Sequence, residues 1–247
     1  MSGAAQEPGV ATGPPATATE GGPVRRHALV TGASSGIGAA VAEHLLAEGW
    51  LVTGVSRRPV AEREGLTWLG CDLAEPGGVA AAVADVGPVD AIVHAAGLQV
   101  AAPLGSLDAA GLARMFAVHV ASASALVDAL VGRVPDGGRV VLVGSRTMTG
   151  AAGKSAYAAT KAALVGLARS WAQELAPRRV TVNVVAPGPT DTPMLRDPAR
   201  ASVAPVVPPL GALVDPADVA ALVGFVVGPH GRSITGQALV VCGGASL

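Results

Sequence analysis

Tyr157 and Lys161 are scarce residue types set four positions apart. The chain has a single tyrosine among its 247 residues. Lys154 is the only other lysine, and arginine supplies the rest of the 17 basic residues. Residues i and i+4 share one face of a helix, so "YAATK" at 157–161 aims a phenol and an ammonium the same way. A phenol with a pKa of roughly 10 is a poor base at neutral pH. A fixed ammonium nearby favours the phenolate and lowers that value. A phenol tuned in this way can give a proton to a carbonyl oxygen or take one from an alcohol.

A second constellation is "TGASSGIG", Thr31–Gly38, in which Gly32, Gly36 and Gly38 are spaced G-x3-G-x-G. Missing side chains let backbone approach a pyrophosphate, and a helix N-terminus offers free N–H groups and a positive dipole. Ser34 and Ser35 add hydroxyl donors, and Ile37 sits inside the same turn. A glycine-rich turn without a ligand is the plain alternative. The apolar run before this turn and the helical segment after it favour the phosphate cradle.

These residues need a scaffold. Short apolar runs at 27–32, 51–56, 66–72, 90–97, 139–145, 179–188 and 237–244 read as strands buried on both faces. Helical segments fall at about 36–48, 75–86, 108–132, 155–176 and 216–227. Such alternation predicts an α/β domain with a parallel sheet and helices on both sides. No break in composition divides residues 25–247. Residues 1–24, "MSGAAQEPGVATGPPATATEGGPV", have neither a charged start nor an apolar stretch and read as a disordered tail rather than a signal peptide. The proline-rich segment 189–215 follows a strand end, where open α/β sheets bind ligands, and reads as a lid with Met194, Leu195, Val203, Val206, Val207 and Leu210 as its apolar contacts.

Composition excludes several functions. Half the residues are hydrophobic and the formal net charge is −1. Arg25–Arg26, Arg57–Arg58 and Arg178–Arg179 are pairs rather than patches, so neither nucleic acid nor an anionic membrane surface is an expected partner. Apolar stretches such as 92–107 contain Gly and Pro and fall short of a spanning helix. Cys71 and Cys242, without histidines at metal-ligand spacing, read as free thiols of a reduced cytoplasm; no metal is expected.

Together these pieces resemble the short-chain dehydrogenase/reductase family over nearly all of residues 26–244. The matching segments are Thr31–Gly38, Asp72–Leu73, Ala96–Gly97, Ser145, Tyr157-x3-Lys161, and Pro187–Gly188 with Thr190 and Thr192. Their order and spacing carry the likeness. The resemblance implies a single Rossmann-type, doubly wound parallel sheet of about seven strands. It implies hydride transfer between a nicotinamide and a small or medium, mainly apolar ketone/alcohol pair. Tyr157 takes the acid/base role, Lys161 also holds the nicotinamide ribose, and Ser145 holds the substrate oxygen. Asp72 accepts from the adenine amino group, Ala96–Gly97 approach its ribose, and Pro187, Gly188, Thr190 and Thr192 flank the nicotinamide. A homo-oligomer, most often a tetramer, is implied as well.

The chain departs from the family pattern at three points. The Ser145–Tyr157 loop is one residue short, which leaves Gly144 at the strictly counted serine position and Thr147 as a weaker candidate. His119 stands where the family has an asparagine, and it is expected either to be a satisfied buried histidine or to titrate near neutrality. His94 and Ala95 replace two further asparagines, with His94 read as structural.

Cofactor choice follows from "GVSRRP". An acidic residue about 20 positions past the glycine turn binds the ribose 2′-hydroxyl of NAD. Arg57 occupies that place, and no Asp or Glu lies between Glu48 and Glu62. Arg57, Arg58 and the Ser56 hydroxyl therefore predict a 2′-phosphate and NADP(H), with NAD(H) as the alternative. Two other functions compete: an NAD-dependent dehydrogenase of a cyclic alcohol or diol, and a nucleotide-binding sensor without catalysis.

Overall fold

The computed structural model describes residues 25–61, 63–75, 77–196 and 206–247. The expected tail at 1–24 and part of the expected lid, Val203 included, lie outside the described residues. Seven strands form one sheet: β1 (His27–Thr31), β2 (Leu51–Ser56), β3 (Leu66–Gly70), β4 (Ala91–His94), β5 (Arg139–Val143), β6 (Thr181–Pro187) and β7 (Ala238–Val241). Their order is β3-β2-β1-β4-β5-β6-β7, and every neighbouring pair is parallel. Most strands end before their apolar run does. The glycine or serine closing the run already belongs to a loop above the sheet.

The two-residue period of a strand divides the core between two faces. Leu29, Ile92, Leu142 and Val184 point to one side, where they meet Leu126, Leu130 and Leu164. Val30, Val93, Val141 and Val185 point to the other, where they meet Val41, Leu45, Val219 and Val223. Both faces are covered, as the continuous apolar runs require. The helices that cover them are α1 (Gly36–Ala47), α2 (Gly78–Ala82), α3 (Ala109–Phe116), α4 (Ser122–Leu130), α5 (Ser155–Leu175) and α6 (Pro216–Val227). Helix α6 starts on Pro216, with the Asp215 carboxylate accepting from Ala217 N. This pairs an N-cap with an N1 proline.

Two helical segments differ from the sequence reading. Only Gly78–Ala82 of the expected 75–86 is α-helix. Past Ala82 the chain winds in tighter turns, Ala84 N–H donating to Ala81 O and Val86 N–H to Val83 O. Between α3 and α4, residues Ala117–Ala121 widen into a π turn. The Val118 carbonyl accepts from both Ser122 Oγ at 2.6 Å and His94 at 3.1 Å, and the wider turn makes room for the two. The whole helix Ala109–Arg133 has the length and hydropathy of a membrane span, which the sequence reading overlooked. Its Met115, Ala123, Leu126 and Leu130 are nonetheless fully buried inside the protein.

β1 sits between β2 and β4, and the chain winds away from it in opposite directions. A crevice opens at such a reversal, beyond the carboxyl ends of the strands. The glycine turn, the 94–97 segment, Ser145 and Gly188 all follow strand ends on that edge.

Candidate active site

The glycine turn is built for a ligand's close approach. Gly32 has φ 71° and Gly36 has φ 56°, both left-handed. A Cβ on Gly32 would lie 2.9 Å from Ala96 Cα, and one on Gly38 would overlap Gly32 O. The turn is therefore a cradle that side chains would fill. Ser34 and Ser35 are half-buried on it, and Ser35 caps α1 with backbone only. Free N–H groups at the start of α1 fit a pyrophosphate.

At the end of β2, Trp68 Nε1 donates to Ser56 Oγ at 3.1 Å, and Ser56 Oγ donates to Arg58 O at 2.7 Å. The Ser56 proton is thus already engaged, and Ser56 shapes the turn that carries both arginines. Arg57 lies 4.0 Å from the Asp72 carboxylate and is well exposed. Asp72 also accepts from Ala74 N at 3.0 Å, while Leu73 packs into the core.

A cavity of about 330 Å³ opens beside this region, lined by Ile37, Gly97, Ser145, Tyr157, Lys161, Pro187, Gly188, Thr190 and Thr192. Tyr157 and Lys161 project from α5, and both are buried. The Lys161 ammonium lies 5.9 Å from the Tyr157 ring centre and donates to Val143 O at 2.8 Å. Burial lowers the Lys161 pKa to about 7, because the charged form loses its hydration. Ser145 begins the loop after β5. Its Oγ accepts from Thr147 N at 3.2 Å and lies 2.9 Å from Thr147 Oγ1. Gly144, the strictly counted alternative, packs against Val184. Past β6, Gly188 presses on Cys242, where a Cβ would come within 2.7 Å of Cys242 Cα. The Thr190 hydroxyl donates to Gly188 O at 3.0 Å, and that of Thr192 to Thr190 O at 3.4 Å.

His119 is fully buried, with its ring edge-on to Tyr157 at 5.7 Å. Its Nε2 accepts from Leu98 N at 3.1 Å. A backbone N–H only donates, so Nε2 carries no proton and Nδ1–H must donate to Thr160 Oγ1, 2.8 Å away. Thr160 in turn donates to Tyr157 O at 2.8 Å. Of the two expected readings of His119, the satisfied buried histidine is the one that fits: burial, then the Lys161 charge, hold its pKa far below the usual range. His94 is structural, as expected. Thr31 Oγ1 accepts from both Ala95 N and Ala96 N at 3.1 Å, so its proton goes to His94 Nδ1 at 3.0 Å. His94 Nε2–H then donates to Val118 O. Burial, aided by the Lys161 charge, lowers the His94 pKa to about 4.

Sequence reasoning missed Gln99, Arg146 and Lys154, which also line the cavity. They belong to no spacing motif, and only the folding of their loops over the β4 and β5 ends brings them there. Among the described residues, no three His, Cys, Asp or Glu side chains cluster to hold a metal ion.

A phosphate cradle beside a buried tyrosine–lysine pair, at the reversal of a parallel sheet, defines a nucleotide-dependent oxidoreductase. Residues 32–246 match the protein family described as enoyl-(acyl carrier protein) reductase. The chain is 34% identical to the 3-oxoacyl-[acyl-carrier-protein] reductase MabA of Mycobacterium tuberculosis over 94% of this chain and 98% of that protein. It is 33% identical to the cyclic-di-GMP-binding biofilm dispersal mediator protein of Escherichia coli, covering 84% of this chain and 92% of the relative. A short-chain dehydrogenase from Burkholderia cenocepacia, solved in complex with NADP, superposes with a TM-score of 0.78 at 36% identity, covering 90% and 98% of the two chains. The chain belongs to the short-chain dehydrogenase/reductase family. It is an NAD(P)-dependent oxidoreductase of the ketoreductase kind.

Proposed function

We propose that the chain is an NADP(H)-preferring reductase of a small or medium ketone. One observation carries the cofactor choice: the end of β2 presents Arg57 and Arg58 where an NAD enzyme has a carboxylate. A guanidinium there pairs with a 2′-phosphate through charge-assisted bonds worth roughly 1.5–3 kcal/mol each, or one to two decades in affinity. The NADP complex of the Burkholderia cenocepacia relative supports the same choice. Lys161 holds the nicotinamide ribose, Asp72 the adenine, and Pro187, Gly188, Thr190 and Thr192 flank the nicotinamide, which supplies the hydride when bound. The proton comes from the Tyr157 hydroxyl, acting on the carbonyl oxygen. Thr147 donates its N–H to Ser145 Oγ, and the Ser145 hydroxyl donates to the same carbonyl oxygen.

The 189–215 segment serves as the lid. Met194, Leu195 and Val206 line the cavity. The segment's ends are tied together by Asp191 N–H to Val214 O and Val214 N–H to Pro189 O, each 2.9 Å. A homotetramer completes the reading. β7 is an edge strand, and Phe225, Val240 and Leu247 stand exposed on α6, on β7 and at the C-terminus. Two buried free thiols, Cys71 and Cys242, fit the cytoplasm.

The test is kcat/KM for NADPH and NADH in wild type and Arg57→Ala, with a panel of ketones. Wild type should favour NADPH at least tenfold, and the variant should lose most of that ratio. Equal use of both cofactors by wild type defeats the preference. Tight nucleotide binding without turnover of any ketone or alcohol points instead to the sensor.

A further inference from the structure

Arg57 and Arg58 stand exposed past the end of β2. Arg57 and Asp72 approach to 4.0 Å with both side chains facing solvent, and such pairs contribute little order. The backbone beneath the arginines is fastened more firmly. Trp68 Nε1 donates to Ser56 Oγ at 3.1 Å and lies 3.3 Å from Ser56 O. An indole N–H only donates, so the Ser56 proton goes on to Arg58 O, 2.7 Å away. Ser56 O also accepts from Cys71 N at 3.2 Å. A chain of indole, hydroxyl and carbonyl thus crosses from β3 to the turn that carries both arginines. Residues two apart on a strand share a face, and Trp68 and Gly70 are so placed on β3. Gly70 is the register partner of Ser56. A Cβ on Gly70 would lie 3.1 Å from two ring carbons of Trp68. The bare glycine lets the indole lie along the strand and bring its N–H to the end of β2.

We infer that Trp68, seated over Gly70, is a positioning residue for cofactor choice: through Ser56 it fixes the turn from which Arg57 and Arg58 meet the 2′-phosphate. A turn ordered before binding spares the cost of ordering it on binding. The arginines supply the charge, and the indole N–H decides where that charge starts from. Covering the β3 edge would need the tryptophan ring alone, whereas this N–H is aimed at the neighbouring strand end. The Ser56 hydroxyl serves as the middle link of the chain and not as a donor to phosphate. The inference rests on the NADP(H) reading and adds to it a residue that acts through Ser56.

The experiment measures binding of adenosine 2′,5′-bisphosphate and of AMP, which lacks the 2′-phosphate, by isothermal titration to wild type, Trp68→Phe, Gly70→Val and Ser56→Ala. KM for NADPH and NADH is followed alongside. Wild type should bind the bisphosphate at least about tenfold more tightly than AMP. Trp68→Phe keeps a ring over Gly70 and loses the N–H. It should shrink that preference by about 3–10-fold, with a matching rise in the KM for NADPH. Gly70→Val pushes the indole aside and should act in the same direction, and it carries the comparison if Trp68→Phe does not fold. Ser56→Ala removes the middle link and should shrink the preference at least as much. A Trp68→Phe protein that keeps the full preference overturns the inference, and so does one that loses both ligands alike. Loss in Ser56→Ala alone overturns it too, by giving Ser56 a direct contact with the phosphate. Failure of the NADP(H) reading is a different result: wild type itself binds the bisphosphate and AMP equally, and the inference falls with it.

Discussion

Lys161 Nζ donates to the carbonyl of Val143 at 2.8 Å. Val143 is the last residue of β5, two positions before Ser145. The bond ties helix α5, which carries Tyr157, to the strand that delivers the serine. One lysine thereby sets the spacing of the site as well as its charge.

That lysine makes stability depend on pH. In the unfolded chain Lys161 titrates near 10.5, and in the folded chain near 7. Between those values the unfolded state holds more protons, so stability rises with pH across the window and is lowest below about 7. Lys161→Met removes this contribution. The Tm of wild type relative to the variant should climb between pH 7 and pH 10. Parallel curves would show that Lys161 is charged in the fold throughout.

Tyr157→Phe removes only the hydroxyl and keeps the ring against His119. kcat should fall about 10²–10⁴-fold while NADPH affinity stays within a few-fold. A stopped assay for turnover and a fluorescence titration for binding separate the two. Near-normal turnover would give the proton to another group.

His119 and Thr160 act as one unit, because each satisfies a polar group of the other. Thr160→Val deprives the His119 Nδ1–H of its acceptor and should cost about 1–3 kcal/mol in denaturant unfolding. His119→Leu deprives Leu98 N–H of its acceptor and should cost a similar amount. The double variant should lose clearly less than the sum of the two. Strict additivity would mean that the Nδ1–Oγ1 bond contributes nothing.

Gly38→Ala places a methyl group over Gly32 O and within 2.9 Å of Thr31 O. The turn must open to accept it. NADPH affinity should drop at least tenfold, with a stability loss of about 1–3 kcal/mol. Unchanged affinity by isothermal titration would show that this turn does not hold the nucleotide.

The fold class and the pieces of the site were legible in the sequence because they rest on local rules. A two-residue period with both faces apolar reads as a buried strand, glycines at a strand–helix junction read as a close approach, and i, i+4 spacing puts Tyr157 and Lys161 on one face. Residues whose role depends on a distant neighbour were not legible. Nothing local shows that Gly188 must meet Cys242, or that Ser56 is engaged by Trp68. The chemistry of a histidine is a further case. The sequence left His119 open between a satisfied buried residue and one titrating near neutrality. The tertiary structure decided it by removing the ring from water and supplying one backbone donor, which fixes both its tautomer and its neutrality. Arg146 and Gln99 belong to the same kind. Their residue types were visible, but only the fold set them on the wall of the cavity, because surroundings are a property that no spacing encodes.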